Sequence, residues 1–397
     1  MKSYLVALCL LLALALTLAG CGAPREAEES VPQPTAEATA APSPAAVQTP
    51  APTATPIPSA APVELLLQRM TTEEKLAQLL LFCCHDASEA ETAAAHSPGG
   101  ICLYADAFAG KGADEVRAMT AALQEASSLP LLLAVDEEGG SVCRVSSEKL
   151  LRNTPFPSPR ALIAQGGLAL VESDAEEKSR LLLDLGLNVN LAPVADVPLD
   201  KSNYIFDRCA STDPAETADY VSSVVSVMRR EGVGAVLKHF PGYGGSADTH
   251  QGAARDERPM IAFTEGAFLP FIAGIEAGAE AVLVSHNIVV CMDAEHPASL
   301  SWPVHRILRE KLDFSGVILS DDLGMAAVGG ETGPEPVVEA FLAGNDLLCC
   351  SDYEAALKAL QEAFDAEQIG LPRLNASVER ILRWKASLGL LPGEALS

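Results

Sequence analysis

Val233-Gly234-Ala235-Val236-Leu237-Lys238-His239-Phe240-Pro241-Gly242-Tyr243-Gly244-Gly245-Ser246-Ala247-Asp248-Thr249-His250 passes from an unbroken apolar run to a cation, an imidazole and a Pro/Gly-rich loop. An apolar run that does not alternate reads as a strand covered on both faces, as in parallel sheets flanked by helices. Its end delivers Lys238 and His239 into the loop. The loop closes on Asp248-x-His250, where the carboxylate can accept one imidazole N–H, fix the tautomer and leave the other ring nitrogen for proton transfer. Taken alone, the pair also fits a Gly-rich surface loop with incidental charges.

Working outward, similar runs recur at 79–83, 100–104, 131–135, 189–194, 281–284, 316–319 and 346–350, making eight with the first. Helical segments are expected between most of them, at 113–126, 173–185, 214–231, 268–277, 304–311, 336–343 and 353–363. Thr71 and Glu74 have capping-box spacing, so a helix opens there and feeds the first strand. Eight strand–helix units predict an α/β fold, a single (β/α)8 TIM barrel over 62–397. The competing architecture is an open doubly wound sheet, whose glycine triplet at a helix start is missing.

A barrel places reactive groups just after its strands. The third run is followed by Asp136-Glu137-Glu138-Gly139-Gly140 and Arg144, the fourth by Asp196, Asp207 and Arg208. The sixth leads to Ser285-His286-Asn287 and the seventh to Ser320-Asp321-Asp322. Each group has a plainer reading. Asp136 or Asp321 could cap a helix, Arg144 and Arg208 could form surface ion pairs, and His286 could be a satisfied strand-end histidine. Gly139-Gly140 reads as a turn rather than a phosphate cradle, since no Lys-Ser/Thr pair follows, and Asp196 reads as structural.

Residues 1–20 carry one charge, Lys2, before an apolar run too short to be a stop-transfer helix, and so read as a signal peptide. The segment ends in Leu18-Ala19-Gly20-Cys21, which resembles a bacterial lipobox and implies lipidation of Cys21, an extracytoplasmic location and a membrane anchor. Segment 21–61 is rich in Pro, Ala and Thr, has no aromatic residue and reads as a disordered tether. The net charge of −26 with no basic stripe argues against nucleic acid and gives no reason for attraction to anionic lipid. Of ten cysteines, eight lie beyond Cys21. Cys83, Cys102, Cys291 and Cys349 sit in apolar runs as expected of buried thiols, and no Cys-x-x-Cys or Cys/His spacing suggests a metal. No cofactor is implied, and a monomer is expected.

The ordered set Asp-x-Glu-Gly-Gly-x-Val-x-Arg (136–144), Asn190-Leu191-Ala192-Pro193-Val194, Asp207-Arg208, Lys238-His239-Phe240-Pro241-Gly242 with Asp248-Thr249-His250, and Ser320-Asp321-Asp322-Leu323-x-Met325 resembles glycoside hydrolase family 3 β-N-acetylglucosaminidases over roughly 63–391. The resemblance implies a retaining hydrolase of terminal β-linked N-acetylglucosamine in peptidoglycan fragments or related oligosaccharides. It makes Asp321 the nucleophile and His250 the acid/base, oriented by Asp248. It also implies that Asp136, Arg144, Arg208, Lys238 and His239 hold the sugar; His286 joins them as a candidate contact. A histidine departs from the usual two-carboxylate template but titrates near neutrality, which suits a group that must both give and take a proton. Three positions depart from the family pattern. Tyr243 replaces the usual histidine of Phe-Pro-Gly-His-Gly, Phe206 a common glycine, and Glu137 a frequent glutamine that adds charge near the site. The competing functions are phosphorolysis of the same glycosides, a family 3 β-glucosidase, and an anchored sugar-binding protein without catalysis.

Overall fold

The computed structural model describes residues 60–391, apart from 247, 250–253, 326–327 and 329–334. The signal segment, Cys21, nearly all of the tether and His250 lie outside the described residues. A helix begins at Ala60, two residues inside the expected tether, and runs to Arg69. The next, Thr72–Gln78, starts with the anticipated capping box: Thr71 Oγ1 accepts the Glu74 N–H at 3.2 Å, and Glu74 Oε2 accepts the Thr71 N–H at 2.7 Å.

All eight expected strands form. They are β1 (Leu80–Cys84), β2 (Gly100–Leu103), β3 (Leu132–Val135), β4 (Val189–Asn190), β5 (Gly234–Phe240), β6 (Ala281–Val284), β7 (Val317–Ser320) and β8 (Leu348–Cys350). The sheet runs β7-β6-β5-β4-β3-β2-β1-β8, every pair parallel. Its two ends meet, because Leu347 bridges Leu319 and its carbonyl accepts the Ser320 N–H at 3.0 Å. Every residue of these eight strands is buried, which explains why the runs are continuous rather than alternating.

Helices Ala113–Ala126 and Pro214–Glu231 have the expected bounds. The helix expected from 173 instead begins at Pro159, with Gly167 departing from helical geometry at φ 60°. Elements not anticipated from the sequence include Ala87–Ala94 and the long closing helix Leu371–Ser387, which packs against Ala60–Arg69. No helix among the described residues is long and apolar enough to cross a membrane. The eight described cysteines are free; seven are buried, but Cys291 is exposed, because its strand stops at Val289 and the chain turns outward.

Lys385 is buried in the closing helix, and its ammonium donates to Gln78 Oε1 at 2.7 Å. Burial pulls its pKa from 10.5 to about 7. The unfolded chain therefore holds a proton that the fold resists between about pH 7 and 10.5, so stability rises with pH through that window. Lys385→Met should stabilise the barrel by about 3 kcal/mol at pH 6, after allowing for the lost hydrogen bond, and by about 1 kcal/mol at pH 9. Urea titrations at the two pH values measure this, and a pH-independent effect would refute it.

Candidate active site

The loops after the strand carboxyl ends surround an open cleft lined by Asp136, Glu138, Arg144, Arg208, Lys238, His239, Asp321 and Asp322 among others. Strand β3 runs on into a hairpin, Glu137–Gly139 with Val142–Cys143. Alternation along an extended chain sends Asp136 and Glu138 to one side and Glu137 to the other. Glu137 is fully buried away from the cleft, accepting the Val145 N–H at 2.7 Å and the Ser146 hydroxyl. The expected extra charge at the site is therefore absent; Glu137 instead pins the segment after the hairpin. Gly139 makes the turn at φ 102°, and a Cβ there would stand 2.2 Å from the Pro157 carbonyl oxygen.

Glu138 is the residue that sequence reasoning passed over. Its carboxylate receives Arg208 in a two-pronged contact, Nε to Oε2 at 2.9 Å and Nη2 to Oε1 at 2.8 Å, and Lys238 Nζ at 2.5 Å. Lys238 also donates to Asp136 Oδ1 at 2.5 Å. Burial pushes Glu138 up, but Lys238 and Arg208 outweigh it and hold the carboxyl far below its usual range. Lys238 is raised in turn: burial works against its charge and the Asp136 and Glu138 carboxylates prevail. Phe206 does not disturb Arg208; its ring takes the Arg160 guanidinium at 4.0 Å.

His239 has both ring nitrogens engaged. Nδ1 lies 2.7 Å from Asp196 Oδ2, and Nε2 lies 3.1 Å from Arg208 Nη2. Arginine only donates, so Nε2 accepts and Nδ1 carries the proton. Asp196 is fully buried and also takes the His239 N–H at 3.0 Å and the Tyr243 N–H at 2.7 Å. Its structural reading has a specific content: it fixes the tautomer of His239, which in turn holds Arg208.

Asp321 follows β7, its N–H donated to Val284 O at 2.9 Å. Burial favours its neutral form, but the imidazoles of His286 and His239, the Asp322 N–H on Oδ1 and Lys238 outweigh that and lower its pKa. Asp322 moves the opposite way, raised by burial and by the Asp321 charge. His286 does not line the cleft. It is fully buried, with Nε2 donating to the Asp322 carbonyl at 2.9 Å and Nδ1 2.6 Å from the Ser299 hydroxyl. It supports the Asp321 loop from behind rather than reaching a ligand. Asp248 is half-buried in the loop after β5.

Among the described residues, two groups in the cleft wall have buried polar atoms without a hydrogen-bond partner, Arg144 Nε and the Tyr204 hydroxyl. Arg144 lies over the Tyr104 ring at 5.7 Å. Three cations, Arg144, Arg208 and Lys238, thus face Asp136, Glu138, Asp321 and the more readily protonated Asp322. Near balance of charge, with polar donors to spare, suits an uncharged hydroxyl-rich ligand better than an anion. Among the described residues no group of acids, cysteines or histidines is arranged to hold a metal.

The N-terminal domain of glycosyl hydrolase family 3 matches residues 71–384, from the capping box to the closing helix. The chain belongs to glycosyl hydrolase family 3. A β-hexosaminidase of Xanthomonas campestris pv. campestris is 34% identical over 304 residues, 75% of this chain and 90% of that protein. Among solved structures, a family 3 β-N-acetylglucosaminidase of Paenibacillus sp. superposes with a TM-score of 0.76 at 29% identity, over 81% of this chain and 63% of that one. The M. tuberculosis protein LpqI gives 0.76 at 30% identity, over 85% of this chain and all of that one. The barrel is thus that of family 3.

Proposed function

We propose that the chain is a retaining β-N-acetylhexosaminidase that releases terminal β-linked N-acetylglucosamine from peptidoglycan fragments or related oligosaccharides. The observation that carries this reading is a half-buried Asp321 whose carboxyl is held below its usual range in a charge-balanced cleft, in a family 3 chain with β-hexosaminidase relatives. In the proposed reaction Asp321 attacks the anomeric carbon as His250, oriented by Asp248, gives its proton to the leaving oxygen. Neutral His250 then takes a proton from water, which displaces Asp321 and restores the starting state. Asp136, Lys238, Arg144 and Arg208 would hold the sugar, with Glu138, His239 and Asp196 keeping those groups in place. Export, lipidation of Cys21 and a monomeric state belong to the same proposal and would put the barrel outside the membrane on a tether.

Purified protein mixed with aryl β-N-acetylglucosaminide and aryl β-glucoside, with and without inorganic phosphate, tests the reading. Selective release from the N-acetyl compound supports it; a sugar 1-phosphate formed only with phosphate would make the chain a phosphorylase. Preference for the glucoside would make it a β-glucosidase, and binding without turnover a sugar-binding protein. His250→Ala should lower kcat by about 10²- to 10³-fold on a disaccharide with a poor leaving group, and far less on an activated aryl glycoside. Equal losses on both would remove His250 from the acid/base role.

A further inference from the structure

Tyr243 stands where the family pattern has a histidine, and its surroundings give it a definite task. The ring is buried, edge-on to His239 and to Tyr204, each at 5.2 Å between centroids. Its N–H is donated to Asp196 Oδ1 at 2.7 Å, and its carbonyl accepts the Ser246 N–H at 2.8 Å. At the loop's base, the Gly242 carbonyl accepts from Arg258 Nη2 at 2.6 Å. Tyr243 is therefore mounted rigidly on the barrel. Its hydroxyl lies 2.6 Å from Thr249 Oγ1, and Thr249 is fully buried. Thr249 is the residue between Asp248 and His250.

We infer that Tyr243 is a positioning residue that latches the acid/base segment through Thr249. Buried hydroxyls without partners are costly, so each of these two secures the other. Holding Thr249 anchors the chain at the residue that follows Asp248 and precedes His250 in the sequence. The latch acts on the proton-transfer step, because the nucleophile Asp321 is anchored separately through Val284, His286 and the strand ends. This inference rests on the function proposed above for His250.

Tyr243→Phe keeps the ring and removes the hydroxyl, and Thr249→Val keeps the shape and removes its partner. Each variant should lower kcat by about five- to tenfold on a chitobioside with a poor leaving group, and by less than about twofold on an activated aryl N-acetylglucosaminide. KM should change little on either substrate. Thr249→Ser should retain near wild-type rates, and the double variant should be no slower than either single one, as for two partners in one contact. Equal losses on both substrates, no loss on either, or multiplicative losses in the double variant would overturn the latch. A wild-type protein that cleaves neither substrate would instead overturn the proposed function, and so the two failures are distinguishable.

Discussion

Asp321→Asn is expected to lower turnover on every glycoside by roughly 10⁴-fold or more, with the fold intact. The amide nearly matches the carboxylate in size and can still accept the Asp322 N–H, 3.0 Å from Oδ1 in the parent. What it lacks is a charge able to form the glycosyl ester, and no leaving group is good enough to replace that step. The loss should therefore be the same for activated and poor leaving groups, unlike that of His250→Ala. Steady-state rates on both substrates, with circular dichroism to verify folding, provide the measurement. Residual turnover within about a hundredfold of wild type would move the nucleophile elsewhere.

Lys238→Met should reduce both stability and activity. The ammonium is almost wholly buried between Asp136 and Glu138, each at 2.5 Å. Removing it leaves two carboxylates facing each other, with Arg208 alone to offset Glu138. Breaking a buried pair from one side costs about 3–5 kcal/mol, more than Lys385→Met is expected to return. The orphaned acids would take up protons, so the destabilisation should be largest above neutral pH and shrink as the pH falls. Activity should fall by about 10³-fold through displacement of Arg208 and Asp136. Urea unfolding at pH 5 and pH 8 tests the first part; a loss that grows toward low pH would contradict the pairing described here.

The strands were legible because burial on both faces writes a plain signal, an unbroken apolar run such as 317–319 or Ala281–Val284. The clusters behind them were legible because a barrel gathers its strand ends on one face. What escaped depended on partners distant in the chain or on side-chain direction. Glu138 and Glu137 are adjacent acids with opposite fates, and only alternation from Asp136 separates them. Asp196 serves an imidazole that lies 43 residues further on, a link no local pattern contains. His286 reads as a possible ligand contact until its bond to the Asp322 carbonyl is seen. The helix Leu371–Ser387 buries Leu374, Val378, Ile381 and Leu382 at helical spacing, but intervening arginines masked its stripe.

That last helix lies against the first, Ala60–Arg69, so the barrel begins and finishes at one place on its outer wall. An enzyme arranged this way is portable. The first and last described helices share one patch of the helical shell. Joining the two ends and reopening the chain in an exposed helix–strand turn should yield a circular permutant with its cleft unaltered. The same arrangement lets evolution append a stalk or a companion module at this seam without having to rebuild the catalytic face.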